Sequence, residues 1–129
     1  MLSTSVAACL AGTGRSPPPE ARALTRIDTL IGAASCDNDA QCRVAPVGHR
    51  SCGGPESFRA WSIRVTEAGA LESALHDHAQ ERQREQEKSG EMSTCQVLPV
   101  PAAACLVGVA GADGGRCVLS GIAGSPGIR

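Results

Sequence analysis

The sequence is poor in aromatic residues, because its 129 residues include one Phe, one Trp and no Tyr. Without aromatic side chains, the interior must be built from Ala, Val, Leu and Ile. A domain of this size buries a modest fraction of its surface, and such domains often depend on covalent cross-links. We therefore expect one small domain whose hydrophobic core is insufficient by itself.

Three further patterns are missing. The net charge is −1 and no Lys/Arg cluster is interleaved with aromatic residues, which argues against a nucleic-acid partner. No stretch approaches the ~18 apolar residues of a membrane-spanning helix, so attachment to a membrane would have to be covalent. Neither a C-x2-C repeat nor a C-x2-C with H-x3-5-H pattern occurs, which argues against zinc. The sequence therefore predicts no cofactor and no metal.

Two short motifs contain residue types that bind metal ions, but both are weak evidence for a metal site. Asp37-Asn38-Asp39 has calcium-type oxygen ligands, but the run lacks the glycine and glutamate that an EF-hand loop requires. Turn chemistry explains these residues without a metal. His76 and His78 are two residues apart and would point to nearly opposite sides of a helix, unlike an i,i+4 zinc pair. We expect His78 to border the core and His76 to lie in solvent.

Cysteine is abundant for so short a chain. Six of the seven cysteines lie in the presumed domain, and such an even set predicts a disulfide framework in an oxidising compartment. The six are Cys36, Cys42, Cys52, Cys95, Cys105 and Cys117. They permit fifteen pairings. Proximity in the sequence favours Cys36–Cys42 and Cys105–Cys117, which leaves Cys52 to bond with Cys95.

The seventh cysteine, Cys9, has a different context. Val6-Ala7-Ala8-Cys9 resembles a bacterial lipobox, with Val where Leu is usual, and the resemblance implies lipidation of Cys9. Eight residues are too few for the basic and apolar regions of a signal peptide, so we expect that the leader begins upstream. The alternative is an unpaired thiol in a disordered end. We assign residues 1–19 to a truncated signal, lipobox and proline-rich tether.

The remaining pattern predicts an α+β domain over residues 20–120, with a flexible tail at 121–129. Apolar residues at helical spacing predict two helices, and β-branched and aromatic runs predict strands. The predicted helices are 20–34 and 66–88, the latter capped by Thr66; the predicted strands are 42–45, 57–63, 92–100, 104–109 and 116–119. We expect one antiparallel sheet of four to five strands, stapled by disulfides, with both helices on one face. Cys105 and Cys117 should face each other across a hairpin.

The second half of the long helix has a different composition from the first. From Gln80 to Lys88 the sequence is polar on all sides. Such charge runs are usually solvated, so we expect these turns to project into solvent. A partner-binding protrusion is the alternative.

The stretch Cys52-Gly53-Gly54-Pro55 predicts a sharp turn, because its glycines accept positive φ and its proline has a fixed φ. With Phe58, Trp61-Ser62 and the last three cysteines, this turn resembles a group of small exported or lipid-anchored bacterial proteins. The resemblance would cover residues 27–119. It implies a compartment and an architecture, but no chemistry.

For function, the sequence favours a non-catalytic envelope lipoprotein or secreted domain that binds a protein or an envelope component. One alternative is a thiol-dependent enzyme or redox protein centred on Cys52, because His49 and Arg50 could lower the pKa of its thiol. Another is a secreted protease inhibitor, because a disulfide-held loop from Pro46 to Pro55 would be preorganised for insertion.

Overall fold

The computed structural model describes residues 16–92, 95–96, 98–108 and 114–122. The fold is α+β, as predicted. Its elements are α1 (Pro19–Ile31), β1 (Ser35–Cys36), the short 3₁₀ helix η1 (Asp39–Gln41), β2 (Cys42–Val47), β3 (Ser57–Ser62), α2 (Ala68–Ser89), β4 (Pro101–Val107) and β5 (Gly115–Ile122). The predicted lipobox with Cys9, most of the predicted tether and the predicted tail beyond residue 122 lie outside the described residues. Among the helices described, none is long and apolar enough to span a bilayer.

The start of α2 differs from the prediction. Glu67, not Thr66, is the N-cap, and its carboxylate accepts hydrogen bonds from two backbone N–H groups of the first turn. Thr66 is buried, and its hydroxyl donates to the Leu30 carbonyl at 2.8 Å. That bond joins the end of α1 to the start of α2. At the other end, Gly90 has the left-handed conformation expected of a terminating glycine, with φ of 67°.

The strands form two sheets, so the prediction of a single sheet of four to five strands was wrong. One sheet has the order β1-β5-β4, and the other is the β2–β3 hairpin. All pairs are antiparallel. The helices α1 and α2 pack against each other, and α2 also packs against β2.

A further difference concerns the predicted strand at 92–100. Its described residues lie in no strand, and β4 begins only at Pro101. Side chains of the β2–β3 loop bind the backbone of this segment: Ser51 Oγ donates to the Glu91 carbonyl at 2.9 Å, and Arg50 Nη1 donates to the Gln96 carbonyl at 2.6 Å. These carbonyls therefore bond to side chains, not to a neighbouring strand.

The final hairpin is confirmed. Cys105 lies directly opposite Cys117 in the β4–β5 register. The last strand is longer than predicted, because β5 continues to Ile122. Residues 121 and 122 therefore belong to the sheet and not to the tail.

The hydrophobic core is small. The lone Phe58 and Trp61 are only partly buried. Aliphatic residues and cysteines fill the interior: Ile27, Ile31, Ala34, Cys36, Cys42, Val47, Leu71, Ala74 and Cys117. Sulfur thus occupies positions where larger domains place aromatic rings.

The described residues contain three disulfides, two in the core and one at the β2–β3 loop, and the two core disulfides differ from the predicted pairs. Cys36 bonds to Cys105, Cys42 bonds to Cys117, and Cys52 bonds to Cys95 as predicted. Cys36–Cys105 joins the two outer strands of the first sheet, whereas Cys42–Cys117 joins the two sheets. These bonds span 69 and 75 residues, so they close much longer loops than the predicted local pairs would.

Gly115 explains how the first of these bonds fits. This residue lies on the central strand β5, directly opposite Cys36. A Cβ at Gly115 would lie 2.7 Å from the Cys105 Sγ. The absence of a side chain therefore leaves room for the Cys36–Cys105 bond to cross β5. Sequence proximity was misleading because strand pairing determines which sulfur atoms meet.

Candidate functional site

The region around Cys52 does not contain the thiol that the enzyme hypothesis requires, because Cys52 is bonded to Cys95. His49 Nδ1 lies 2.9 Å from Gln86 Oε1, so the structure pairs this histidine with an amide on α2. The Gln86 amide nitrogen also donates to the His49 carbonyl. His49 therefore anchors the loop to α2.

The predicted turn at Cys52–Pro55 is confirmed. Gly53 and Gly54 have φ of 95° and 84°, which side-chain-bearing residues rarely adopt. The Gly53 N–H donates to the Arg50 carbonyl at 2.8 Å, and the Arg50 N–H donates to the Gly54 carbonyl at 3.0 Å. The loop is therefore curled and not extended.

A cluster of charged side chains lies under this loop. Arg82 donates to both carboxylate oxygens of Glu56, at 2.7 and 2.9 Å, and lies 3.5 Å from Glu91. Burial raises the pKa of Glu56, but hydrogen bonds from Arg82 and the His49 N–H outweigh burial and lower the net pKa. The bond to Glu56 raises the pKa of Arg82. This pair therefore stays ionised and fixes the base of the loop.

The second half of α2 is consequently not a solvent projection, and that prediction was wrong. Gln86 is 7% exposed, and the Arg82 side chain is 18% exposed. Both side chains lie on the helical face that begins with Leu71 and Ala74. Hydropathy could not indicate this packing, because hydrogen bonds and an ion pair hold it.

The two histidines of α2 lie where the sequence predicts them. His76 is exposed, and His78 is 5% exposed. Within the described residues, His78 Nδ1 is buried without a hydrogen-bond partner. Burial lowers the pKa of His78. The Glu56 carboxylate raises this pKa, whereas the nearby charges of Arg82 and Arg59 lower it further. His78 is therefore neutral in the folded protein near pH 7.

A cleft of about 270 Å³ opens beside the charged cluster. Its walls are Arg50, Ser51, Glu56, Gln86, Glu91 and Leu98. Neither histidine of α2 lines it. Ser51 and Gln86 make hydrogen bonds within the protein, and Glu56 is held by Arg82. These polar side chains of the cleft are therefore engaged in contacts that hold the β2–β3 loop in place.

The candidate calcium ligands have structural partners instead. The Asp37 carboxylate lies 3.5 Å from the Arg64 guanidinium. Asp39 Oδ1 accepts a hydrogen bond from the Cys105 N–H at 2.7 Å, which covers part of the outer edge of β4. The only grouping of potential metal ligands in the described part of the chain is Cys36, Cys42 and Cys105, with sulfur atoms within 4.8 Å of one another. All three sulfurs are in disulfides.

A larger surface groove, of about 500 Å³, lies between the two sheets and the end of α1. Its lining is mostly apolar: Ile31, Gly32, Ala34, Phe58, Ala60, Cys117, Val118 and Leu119, with Asp28, Arg59 and Arg116 as charged members. We call this surface the interstrand groove. Its size is in the range of protein binding sites.

One wall of the interstrand groove is an unpaired strand edge. Strand β3 pairs with β2 only, among the strands that the structure describes. The Ile63 N–H donates to the Gln41 carbonyl at 2.9 Å. In an antiparallel pair every second residue of a strand directs its backbone N–H and C=O towards the partner strand, so this bond determines which residues of β3 do so. The backbone N–H and C=O groups of Phe58 and Ala60 therefore face away from β2. Hydrogen-bonding groups of extended backbone thus border an apolar surface.

The groove also contains two arginines, of which one has no ion-pair partner in the described part of the chain. Arg59 is paired with Asp28 at 3.4 Å. Arg116 is exposed, and its guanidinium has no ion-pair or hydrogen-bond partner among the residues described. No single stretch of sequence reveals this surface, because it is assembled from α1, β3 and β5. A charged residue beside Cys117 in a predicted strand was the one available signal.

No protein-family model, curated protein or solved structure matches this chain.

Proposed function

We propose that this chain is an exported, non-catalytic binding domain whose interstrand groove takes an extended segment of a partner protein. The observation that carries the proposal is the combination in one groove of three features: apolar walls, the β3 edge that no described strand covers, and Arg116, which has no partner among the described residues. An extended peptide can add to a strand edge through its backbone. Its alternate side chains would contact Phe58 and Leu119, and a carboxylate would pair with Arg116.

Charge and backbone geometry favour a protein segment over an apolar small molecule. The edge of β3 offers both donors and acceptors, which match a peptide backbone. A single cation at the rim selects a ligand with at least one carboxylate. We therefore expect a segment with apolar residues at alternate positions and one Asp, Glu or C-terminal carboxylate.

The compartment follows from the cross-links. Disulfides form and persist outside reducing cytosol, so the three bonds favour an extracellular or envelope protein. We propose that lipid on Cys9 holds the domain at the bacterial envelope, with the proline-rich segment as a spacer. Metabolic labelling with an alkyne fatty acid in a bacterial host, with the natural upstream sequence present, tests this step. Labelling should be lost in Cys9→Ser, and labelling that persists would contradict it.

A phage-displayed library of random heptapeptides tests the groove. The expected result is enrichment of acidic peptides with alternating apolar residues, bound at least about tenfold more weakly by Arg116→Gln. The control is Arg22→Gln, which removes an exposed arginine from α1, away from the groove. Its binding should match that of the unaltered protein. Hydrogen exchange of the Phe58 and Ala60 amides should slow when a selected peptide is added.

Two results would contradict the groove assignment. One is selection of peptides whose affinity is unchanged by Arg116→Gln. The other is binding of oleate in the groove, seen as a change in Trp61 fluorescence, with no peptide enriched. The second result would identify the occupant as an amphiphilic small molecule instead of a protein segment.

The rival function, a thiol enzyme or redox protein at Cys52, would require reduction of the Cys52–Cys95 bond before any reaction. His49 would also have to leave Gln86 to act as a base. A protease-inhibitor loop would be expected to bind in extended form, whereas the 50–54 segment is curled by two backbone hydrogen bonds. We therefore favour the binding domain over both alternatives.

A further inference from the structure

Two of the disulfides are packed against each other. The sulfur atoms of Cys36 and Cys105, which form one bond, lie within 4.8 Å of the Cys42 sulfur, which belongs to the other. The partner of Cys42 is Cys117, and Cys117 lies directly opposite Cys105 in the β4–β5 register. The four cysteines therefore form one cluster of two neighbouring disulfides, which we call the sulfur circuit.

Exposure differs within the sulfur circuit. Cys36 is fully buried, and Cys42 and Cys117 are 6% and 4% exposed. Cys105 is the only member that is partly exposed. Cys105 is therefore the member of the circuit that is most open to a small thiol from solvent.

We propose that Cys105 is a thiol-modification site at which a small-molecule thiol starts an exchange of both disulfides. The external thiolate bonds to the Cys105 sulfur, the Cys36–Cys105 bond breaks, and Cys36 leaves as a thiolate. The Cys36 thiolate bonds to the Cys42 sulfur, and Cys117 leaves. The Cys117 thiolate then bonds to Cys105 and displaces the external thiol.

The three steps conserve electrons and atoms. Two disulfides are present before and after, and the external thiol is regenerated as a catalyst. The product contains Cys36–Cys42 and Cys105–Cys117. Because burial disfavours a thiolate, we expect the released Cys36 thiolate to react onward instead of accumulating.

The exchange would loosen the fold in a defined way. In the product the two sheets are joined by Cys36–Cys42, between β1 and β2, instead of by Cys42–Cys117, between β2 and β5, and the bond between the outer strands β1 and β4 is lost; both new bonds close much shorter loops. The two sheets form the opposite walls of the interstrand groove, so a thiol would alter that groove if the proposed function is correct. The exchange itself does not depend on the proposed function.

The variant Cys105→Ser isolates the second step, because it leaves the Cys36 thiol beside the intact Cys42–Cys117 bond. After quenching at acid pH and alkylation, digestion with trypsin and Asp-N separates Cys36 (residues 28–36), Cys42 (39–43) and Cys117 (117–129). We expect alkylated Cys117 and a Cys36–Cys42 link, at least about tenfold above their level in Cys95→Ser. That control also carries one unpaired thiol, at Cys52, outside the sulfur circuit. A thiol found on Cys36 alone in Cys105→Ser would overturn the proposal.

A second measurement uses the unaltered protein, in case the variant does not fold. Glutathione is added below the protein concentration without oxygen, and the products are mapped in the same way. We expect a new link between residues 28–36 and 39–43, with glutathione only in molecules trapped before the last step, where fragmentation of residues 89–112 places it on Cys105 and not on Cys95. An adduct on Cys105 without the new link, or adducts on Cys52 and Cys95 alone, would overturn the exchange.

Discussion

Cys105 and Cys117 lie directly opposite each other in the β4–β5 hairpin, yet each is bonded to a cysteine on another strand. The hairpin brings both sulfur atoms to the side where Cys36 and Cys42 lie. Each bond then joins segments that the chain order keeps far apart. The covalent framework thus reinforces the tertiary contacts of the small core, and the hairpin itself is left to backbone pairing.

The lack of a side chain at Gly115 should be essential for the Cys36–Cys105 bond. In Gly115→Ala, the new Cβ would lie 2.7 Å from the Cys105 sulfur and 3.1 Å from the Leu106 carbonyl oxygen. We expect a loss of about 1–3 kcal/mol in the free energy of unfolding and titratable thiols in part of the population. The control Gly69→Ala meets only the flexible Glu67 carboxylate and should be unchanged or slightly more stable. Full oxidation and unchanged stability of Gly115→Ala would contradict the steric account.

The Cys42–Cys117 disulfide between the sheets should be more important for the stability of the fold than the Cys52–Cys95 disulfide at the β2–β3 loop. The double variant Cys42→Ser/Cys117→Ser loses a bond spanning 75 residues, and Cys52→Ser/Cys95→Ser loses one spanning 43 residues. Loop entropy alone predicts a cost of about 4 kcal/mol for each. The first bond, however, is buried in the core. We expect far-ultraviolet circular dichroism to show loss of the fold in the first variant only, and equal loss in both would be inconsistent with this assignment.

The Glu56–Arg82 pair should stabilise the β2–β3 loop. Glu56→Gln replaces a doubly hydrogen-bonded, partly shielded ion pair, and we expect a loss of about 1 kcal/mol with faster hydrogen exchange at residues 49–54. The matched control is Glu81→Gln, which disrupts the solvent-exposed i,i+3 pair with Arg84. That change should cost less than about 0.5 kcal/mol. Equal effects of the two variants would show that the cluster has no special role.

Acid should destabilise the protein through His78. Its folded-state pKa is depressed, so below the unfolded value of about 6.5 the unfolded chain binds more protons than the folded one. Stability is therefore retained above pH 6.5 and lost as the pH falls from there towards the folded-state pKa. Glu56, whose folded-state pKa is also lowered, adds a loss of stability as the pH falls below the ordinary value of 4.5.

Urea unfolding between pH 7.5 and 5.0 checks this. His78→Gln should lessen the slope of stability against pH, which for one group cannot exceed about 1.4 kcal/mol per pH unit. His76→Gln, a change at an exposed position, should leave the slope intact. If the slope of stability against pH is the same in His78→Gln and His76→Gln, groups other than His78 cause the pH dependence.

Sequence patterns predicted those elements that are determined by residues close together in the chain. The helical apolar spacing in residues 20–31, the glycine-rich turn at Gly53 and the final hairpin all appear in the structure, whereas the N-cap of α2 lies one residue beyond the predicted Thr66. The Cys52–Cys95 bond was predicted because the other four cysteines were assigned first, although that assignment was wrong. A correct prediction here followed from an incorrect pairing of its neighbours.

The rest depends on contacts between distant residues. Arg82 and Gln86 pack against the β2–β3 loop through polar bonds that hydropathy counts as solvent exposure. The backbone carbonyls of Glu91 and Gln96 accept hydrogen bonds from the distant Ser51 and Arg50, and the described residues of the predicted strand at 92–100 lie in no sheet. The interstrand groove exists only where β3, β5 and α1 meet, so no single stretch of sequence reveals it.

Non-reducing peptide mapping of the purified protein, prepared without added thiol, tests the central claim most directly. Digestion with trypsin and Asp-N releases Cys42 in residues 39–43, separate from Cys36 in residues 28–36. The structure predicts that residues 39–43 are linked to residues 117–129 and that none of the six domain cysteines reacts with alkylating agents. A link between residues 39–43 and 28–36, or six reactive thiols in the folded protein, would contradict the account.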